Sequence, residues 1–259
     1  DVTSTRAAAE TAQILSIPLA HVESGLRSFD QSMPEEINRI VTDNLSDYFF
    51  ITEQSGIDNL KEEGKPEKNM FFVGNTMIDA LVAFDEKIAE NPILEKLGVD
   101  KGFFSLVTIH RPSNVDTKQA LEKNIELLFN LSEKYPVVFP IHPRTKNKLN
   151  EFKLSEKLQS NKKIILTEPL DYFAFQKLIA TCKFIVTDSG GIQEEAPSLG
   201  KPVVVLRDHT ERPEAIEAGT ALLAGTSPEA ILETVSKLLD DTAAFSTMVE
   251  RCRQNPFGD

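Results

Sequence analysis

Short runs rich in Val, Ile and Phe alternate with helix-like stretches, and this alternation constrains the fold more than any other feature of the chain. Strand-like runs occupy 18–23, 47–52, 69–74, 103–110, 136–142, 163–168, 183–188, 201–207 and 220–225. Helix-like stretches include 5–15, 34–45, 76–90, 118–134 and 228–240. Such alternation predicts parallel sheets covered by helices on both faces, with functional groups at the carboxyl ends of the strands.

The chain is predicted to form two domains, with a boundary near residues 74–100. Pro92, Gly98 and Gly102 break the chain within this region and just after it. The first domain (1–75) has three predicted strands, which are few for a doubly wound sheet, and it opens on a helix-like segment. The second (76–259) holds a fuller set of strands. We therefore expect an α/β protein with two Rossmann-like domains, the N-terminal one incomplete.

Composition excludes several classes of function. The net charge of -12 and the pI of about 4.9 argue against a nucleic-acid partner, which needs a basic face. No apolar run approaches the roughly 20 residues of a membrane helix, so no membrane partner is expected. Cys182 and Cys252 predict buried thiols in a reducing, cytoplasmic setting, and no ligand spacing predicts a metal site.

A Ser-Gly-Gly turn separates the strand-like run ending at Asp188 from a short helix, in DSGGIQEEAPSLG. Small residues here are typical of any tight turn. They also let a ligand approach the backbone, and amides in the first turn of a helix bind anions. Glu194 and Glu195 either favour the helix dipole or, for one of them, accept hydrogen bonds from ligand hydroxyls.

Basic side chains follow three strands. His110 and Arg111 follow the first, and His142 and Arg144 follow the next, where they are candidates for acid/base work or phosphate contact. Arg212 lies in the loop RDHTERPEA after a later strand. It is suited to a phosphate by its shape, and pairing with a neighbouring surface carboxylate in the same loop is the alternative.

Carboxylates in the first half are candidates for proton transfer. Glu23 ends a predicted strand, and Glu35 opens a predicted helix in MPEEINR. If both lie at the same strand-end edge as Asp1, desolvation and like charge would adapt their pKa values for that work. Glu35 also fits a Ser-x-x-Glu capping box with Ser32, which would give it a purely structural role.

In their order along the chain, HVESGLRS with PEEINR, GNTMIDAL, the His-Arg strand end, DSGGIQEEAPSLGKPV and TERPEA with a following GT resemble the non-hydrolysing UDP-N-acetylglucosamine 2-epimerase family. The resemblance runs from Asp1 to about Gly258. It implies a fold of the glycosyltransferase-B type, with UDP-sugar bound between two Rossmann-like domains. It also implies a homodimer that interconverts UDP-GlcNAc and UDP-ManNAc by anti elimination of UDP and re-addition, with no cofactor.

The resemblance assigns roles residue by residue. It implies that Asp1, Glu23 and Glu35 transfer protons and that His110 contacts the leaving diphosphate. The nucleotide-sugar set would comprise the diphosphate cradle, the ribose acid, an arginine near the sugar and a residue packed by the uracil, namely Ser189, Gly190, Gly191, Glu195, Arg212 and Phe175.

Departures from the family pattern leave alternatives open. Ser113 replaces a glutamate often found there, and His209 replaces a threonine. The short loop after Glu23, together with HPRT, also resembles epimerases of UDP-2,3-diacetamido-glucuronic acid. A glycosyltransferase-B type transferase and a non-catalytic nucleotide-sugar-binding module are further alternatives. Because family segments before Asp1 and a C-terminal helix have no counterpart, the 259-residue chain alone is expected to be inactive or impaired.

Overall fold

The computed structural model describes residues 2–210 and 212–254. These residues form two compact units that divide between Asp79 and Ala80. The division falls within helix α4 (Thr76–Ala83). The boundary expected from the sequence lies just before this helix, between residues 75 and 76.

The first unit contains a small parallel sheet. Its strands lie in the order β1-β2-β3, and both pairings are parallel. Its elements before α4 are α1 (Thr3–Ile14), β1 (Ala20–Val22), α2 (Pro34–Leu45), β2 (Tyr48–Ile51), α3 (Gln54–Glu62), a 3-10 turn (Glu67–Asn69) and β3 (Met70–Phe72). Phe49 and Ile51 point from β2 into a core shared with Leu60 of α3, and burial of each such side chain contributes about 1.5–3 kcal/mol.

The second unit contains six parallel strands separated by helices. Its first half comprises α5 (Asp85–Ala89), α6 (Ile93–Leu97), β4 (Ser105–Thr108), α7 (Pro112–Val115), α8 (Lys118–Lys134), β5 (Val137–Pro140), α9 (Pro143–Glu151), α10 (Ser155–Gln159) and β6 (Ile164–Thr167). Its second half comprises α11 (Tyr172–Thr181), β7 (Phe184–Thr187), α12 (Ile192–Ser198), β8 (Val203–Val205), α13 (Pro213–Glu217), β9 (Ala221–Leu223), α14 (Pro228–Asp240) and α15 (Thr242–Cys252).

Both faces of this larger sheet are buried, as the near-continuous apolar strands predict. In β4, Val107 joins the core layer that α8 and α14 cover, whereas Leu106 joins the layer beneath α11 and α12. In β7, Val186 and Ile185 divide between the two layers in the same way. The alternation follows from the two-residue period of a strand, which points successive side chains to opposite faces of the sheet.

The strand order of the larger sheet determines where a ligand can bind. The order is β6-β5-β4-β7-β8-β9, which is 3-2-1-4-5-6 when the strands are counted within the unit. This is the Rossmann order, in which the chain leaves in opposite directions from two adjacent strands. These are β4 and β7 here, and a crevice opens beyond their carboxyl ends.

Candidate functional site

Two loops carry polar groups to this switch point. His110 lies just beyond β4, and Asp188 with the Ser-Gly-Gly turn lies just beyond β7. The last residues of the two strands, Thr108 and Thr187, share a hydrogen bond of 2.6 Å between their hydroxyl oxygens. The sheet therefore fixes the starting points of both loops.

A cavity of about 290 Å³ lies between these loops and the ends of β5 and β6. Its walls are largely apolar and include Ile141, Pro169 and Leu170. Six of the residues predicted from the sequence to contact substrate line it, namely His110, His142, Phe175, Ser189, Gly191 and Glu195. An apolar cleft with a few convergent polar groups is the usual form of a small-molecule site.

His110 is held by the buried carboxylate of Asp188. Its ring Nδ1 lies 2.8 Å from Asp188 Oδ1, and its backbone amide donates to the same carboxylate at 2.9 Å. Arg111 and Asn114 donate to that carboxylate as well. Burial raises the pKa of Asp188, but the bond from His110 and its other hydrogen bonds outweigh this effect and lower the pKa, so the group is ionised at neutral pH.

His142 caps helix α9. Its ring Nδ1 accepts a hydrogen bond from the Arg144 amide at 3.1 Å, which requires the hydrogen of the neutral ring to reside on Nε2. The rings of His142 and His110 lie 5.1 Å apart between centroids. Partial burial, followed by the charge of His110, lowers the pKa of His142, so His142 is neutral at pH 7 and offers an Nε2–H donor.

The side chain of Arg144 is engaged elsewhere. Its guanidinium forms two hydrogen bonds with Asp116, one from Nε at 2.8 Å and one from Nη2 at 2.5 Å. Arg144 is not among the residues that line the cavity. The hydrogen bonds from Arg144 lower the pKa of Asp116. The structure thus brings His142 to the cavity but pairs Arg144 with Asp116, and a substrate contact by Arg144 stays a prediction.

The Ser-Gly-Gly turn presents backbone amides at the start of α12. Ser189 N donates to Thr187 Oγ1, and the carbonyls of Gly190 and Gly191 accept from the first turn of the helix. Among the described residues, no protein acceptor pairs with the amides of Gly190, Gly191 or Ile192. Gly191 has an ordinary helical φ of -60°, so its value to a ligand is the absence of a side chain rather than an unusual backbone.

Glu195 projects from α12 into the cavity and is only 9% exposed. Burial raises the pKa of this carboxyl group, and a hydrogen bond from Gln176 offsets the effect in part. A largely desolvated carboxylate with few protein donors is suited to accept hydrogen bonds from ligand hydroxyls.

Arg212 is buried, with 3% of its surface exposed, and it forms an ion pair with Glu194 of α12. Its backbone amide donates to Thr210 Oγ1, which donates to Gln193 Oε1 at 2.7 Å. Gln193 Nε2 in turn donates to the carbonyl of Ser189 at 3.0 Å. The loop after β8 is thereby linked through α12 to the Ser-Gly-Gly turn.

Two of the predicted proton-transfer residues, Glu23 and Glu35, belong to the first unit. Glu23 directly follows β1 and has a left-handed backbone, with φ of 68°, which is uncommon for a residue with a side chain. Backbone strain of this kind concentrates at functional sites. Glu35 lies in the first turn of α2 and is partly exposed. Asp1 lies outside the described residues, so its predicted role stays a prediction.

The capping-box interpretation of Glu35 is wrong. Met33 is the N-cap of α2, and the Ser32 hydroxyl donates to Asp30 at 2.7 Å instead of capping the helix. The physical reason is Pro34, whose fixed φ suits the first helical position and starts the helix one residue later than the capping box requires.

Two buried carboxylates of α2 hold the loop that follows Glu23. Asp43 accepts from the Gly25 amide and pairs with Arg27 at 2.7 Å and with His21 at 2.6 Å. Burial opposes ionisation of Asp43, but these partners, His21 first, lower its pKa overall. The second carboxylate is Glu36, which accepts hydrogen bonds from the backbone amides of Ser28 and Phe29 and from the Ser28 hydroxyl. Helix α2 therefore shapes the Glu23 loop.

Sequence reasoning missed the carboxylates that organise these loops. Asp188, Asp43 and Glu36 are each 1% exposed or less. Acidic residues almost never reach such burial unless they are paired. For Asp188, the available signal was its place at the end of an apolar strand, opposite a His-Arg strand end.

The described residues contain no cluster of His, Cys, Asp and Glu side chains that could hold a metal ion. Within the same ranges, no helix has the length and apolarity to cross a membrane. Cys182 and Cys252 are free and buried, as predicted, and burial raises the pKa of each thiol to about 12. They are thus unreactive at neutral pH.

Comparison with known proteins gives a consistent result. Residues 1–259 match the sequence profile of the UDP-N-acetylglucosamine 2-epimerase family. The UDP-N-acetylglucosamine 2-epimerase of Methanocaldococcus jannaschii is 43% identical over 266 residues, which include all of this chain and 70% of that protein. The Bacillus subtilis enzyme of the same name is 39% identical, over all of this chain and 67% of that protein.

Solved structures agree. The crystal structure of the M. jannaschii enzyme in complex with UDP-GlcNAc and UDP aligns with a TM-score of 0.90 at 41% identity, covering 100% of this chain and 70% of that one. The Neisseria meningitidis enzyme bound to UDP-GlcNAc aligns with a TM-score of 0.86 at 35% identity, covering 100% and 71%. The α/β fold with parallel sheets is therefore of the glycosyltransferase-B type, and the chain belongs to the UDP-N-acetylglucosamine 2-epimerase family, whose members are isomerases.

Proposed function

We propose that this chain provides the UDP-binding and proton-transfer groups of an epimerase that interconverts UDP-GlcNAc and UDP-ManNAc. The observation that carries the proposal is the cavity at the β4–β7 switch point, which brings His110, the Ser-Gly-Gly turn and Glu195 together in a member of this family. His110 and the turn match the diphosphate of a nucleoside diphosphate, and Glu195 matches its ribose.

The diphosphate is assigned to the turn and to His110. The amides of Gly190 and Gly191 and the N-terminus of α12 offer donors without a competing side chain. When the bond from C1 to UDP breaks, negative charge grows on the departing oxygen. Donors already fixed in position stabilise that charge without having to reorganise during the reaction, which is where such groups accelerate a reaction most.

The nucleoside is assigned to the far part of the cavity. Glu195 would accept hydrogen bonds from the ribose hydroxyls, and Phe175 with Leu170 and Pro169 would pack against the uracil. Arg212 is proposed to act near the sugar, as the family resemblance implies. Its ion pair with Glu194 supports a fixed orientation for its guanidinium.

The chemistry is a redox-neutral elimination and addition. A carboxylate removes the C2 proton, the C1–O bond to UDP breaks, and a C1=C2 double bond forms, which gives 2-acetamidoglucal and UDP. In the return step UDP adds to C1 while a proton reaches C2 from the opposite face. We propose Asp1, Glu23 and Glu35 for these proton transfers. Since no electrons are gained or lost overall, the reaction needs no redox cofactor.

Substitution of the carboxylates tests this assignment. Glu23→Gln and Glu35→Gln, each made in the natural protein that carries this sequence, are expected to lower kcat by about 100-fold to 10,000-fold, because a general acid or base contributes that much. The dissociation constant for UDP, measured by calorimetry, should stay within about threefold. Unchanged epimerisation in both variants would reject the assignment of these residues.

Replacement of Glu195 by Gln is expected to weaken UDP binding by about 10-fold to 100-fold, since a hydrogen bond to a charged group contributes about 1.5–3 kcal/mol. Burial raises the pKa of Glu195 above its usual 4.5, so the ionised carboxylate lowers the free energy of unfolding. The full stability is present below pH 4.5 and is lost as the pH rises through the raised pKa. The variant should therefore unfold at a higher temperature at pH 7.

The same reasoning gives a pH dependence for binding. UDP affinity of the wild type should fall as the pH is lowered through the raised pKa of Glu195, whereas that of Glu195→Gln should lack this component. Glu126→Gln, at an exposed position of α8, is the matched control and should change neither quantity. Unaltered UDP affinity in Glu195→Gln would remove this residue from the ribose site.

Assembly and location follow from the family resemblance. We propose a homodimer in the cytoplasm, a reducing compartment in which the two free cysteines would stay as thiols. Sedimentation equilibrium of the natural protein should give twice the mass of one chain, and the mass of a single chain would contradict the dimer.

A further inference from the structure

The carboxylate of Asp188 is the most thoroughly anchored polar group of the switch point. It is fully buried directly after β7. It accepts from the amides of His110 and Arg111, at 2.9 and 2.8 Å, and from Asn114 Nδ2 at 2.9 Å. Asn114 is itself fixed, because its side chain also donates to the carbonyl of Leu206 at 3.2 Å. The carboxylate therefore joins the loops that follow β4, β7 and β8.

The same carboxylate also contacts the His110 ring. Nδ1 lies 2.8 Å from Asp188 Oδ1. An ionised carboxylate can only accept, so Nδ1 must carry a hydrogen. Nε2 is then the nitrogen that His110 has available for a ligand, and His110 is part of the cavity wall with 31% of its side chain exposed.

We propose that Asp188 is a positioning residue for His110, which fixes the ring with Nδ1–H toward the sheet and presents Nε2 to the leaving diphosphate. The proposal rests on the proposed function, in which His110 contacts that diphosphate. Protonation at Nε2 gives a ring with two donors and a positive charge that the Asp188 carboxylate balances. The same pair therefore fixes the direction of the ring that meets the departing UDP, and the carboxylate stabilises positive charge on the ring when Nε2 carries a proton.

Asp188→Asn changes this arrangement with little change in shape. An amide oxygen in the place of Oδ2 keeps the bonds from the two backbone amides and Asn114. The amide nitrogen then faces Nδ1 and can only donate, so Nδ1 must lose its hydrogen and Nε2 must carry it. The ring then meets the departing UDP as a neutral Nε2–H donor without the positive charge that the Asp188 carboxylate balances, and kcat is expected to fall by roughly 100-fold with KM within about threefold, a loss as large as that of removing one donor to a developing oxyanion.

The tautomer provides a readout that does not need turnover. In the natural protein labelled with 15N-histidine, a 15N–1H spectrum of the imidazole rings should show His110 with hydrogen on Nδ1. Signals are assigned by their loss in His110→Ala. In Asp188→Asn the hydrogen should move to Nε2. A wild-type His110 with bare Nδ1 would overturn the proposal, and this result is accessible even if Asp188→Asn does not fold.

A double-mutant cycle tests whether Asp188 acts through His110. In the His110→Ala background, Asp188→Asn should lower kcat by less than about twofold, because the group that it positions is gone. An equal 100-fold loss in both backgrounds would overturn the proposal, as would a changed tautomer with unchanged kcat. Absence of epimerisation in the wild type would instead reject the proposed function and leave the tautomer result interpretable.

Discussion

Replacement of Gly25 by alanine is expected to destabilise the first unit by more than about 4 kcal/mol, the range reached only by severe backbone or core defects. A Cβ at this position would lie 2.3 Å from the carbonyl oxygen of Gly56, a backbone atom that cannot swing aside as a flexible side chain could. Gly25 also has a φ of 85°, which a side chain disfavours. Its amide is bonded to Asp43, so relief by movement would cost that bond too.

Gly64→Ala is the matched control for this substitution. Gly64 also has a positive φ, of 75°, but nothing lies within 4 Å of an added Cβ. It should cost only about 1–2 kcal/mol, the intrinsic penalty of a left-handed residue. Urea unfolding followed by circular dichroism measures both variants. Equal losses for Gly25→Ala and Gly64→Ala would mean that the Gly25–Gly56 approach does not constrain the loop that carries Glu23.

Arg212→Met is expected to lower the free energy of unfolding by about 3–5 kcal/mol, because it leaves the carboxylate of Glu194 buried without its ion-pair partner. The control is Arg253→Met, which removes an exposed pair with Glu250 and should cost less than about 1 kcal/mol. A loss for Arg212→Met no larger than that of the control, in urea unfolding, would contradict the buried pairing.

Adding Glu194→Gln to Arg212→Met should restore most of the lost stability, since the uncompensated charge disappears. The double variant also separates the two roles considered for Arg212. If the residue also acts on the sugar, the double variant regains stability while kcat/KM for UDP-GlcNAc stays low. Recovery of both quantities would show that Arg212 acts only through Glu194.

Local pattern was sufficient to predict the secondary structure that carries the site. The helices predicted at 34–45, 118–134 and 228–240 have the bounds observed for α2, α8 and α14. The apolar runs of the second half became parallel strands one or two residues shorter at their ends. The helix predicted at 76–90 is instead two helices, α4 and α5, interrupted at Phe84. Periodicity alone does not register a break of one residue.

Strand order and buried polar pairs were beyond the reach of local pattern. That β4 lies beside β7, and not beside β6, is a contact between segments about 80 residues apart, and only this contact creates the switch point. The pairing of Arg212 with Glu194 likewise joins a loop to a separate helix. From the sequence, a phosphate contact was one expectation for Arg212 and pairing with a neighbouring carboxylate of its own loop was the alternative.

Motifs in the sequence predicted residues that line the cavity, but not the residues that hold them in place. His110, Phe175, Ser189 and Glu195 were assigned from motifs, and the structure gathers them around one cavity. Their roles stay proposals. The carboxylate that holds His110 went unassigned, because nothing within a strand-end Asp distinguishes a buried hydrogen-bond acceptor from an exposed side chain.

Hydrogen exchange at C2 of the sugar tests the central claim most directly. The natural protein that carries this sequence is incubated with UDP-GlcNAc in deuterium oxide, and the C2 hydrogen is followed by proton NMR. We expect loss of the C2 signal from UDP-GlcNAc together with the appearance of UDP-ManNAc deuterated at C2. Retention of the C2 hydrogen while UDP-GlcNAc is bound, or transfer of the sugar to an acceptor without exchange, would contradict the epimerase assignment.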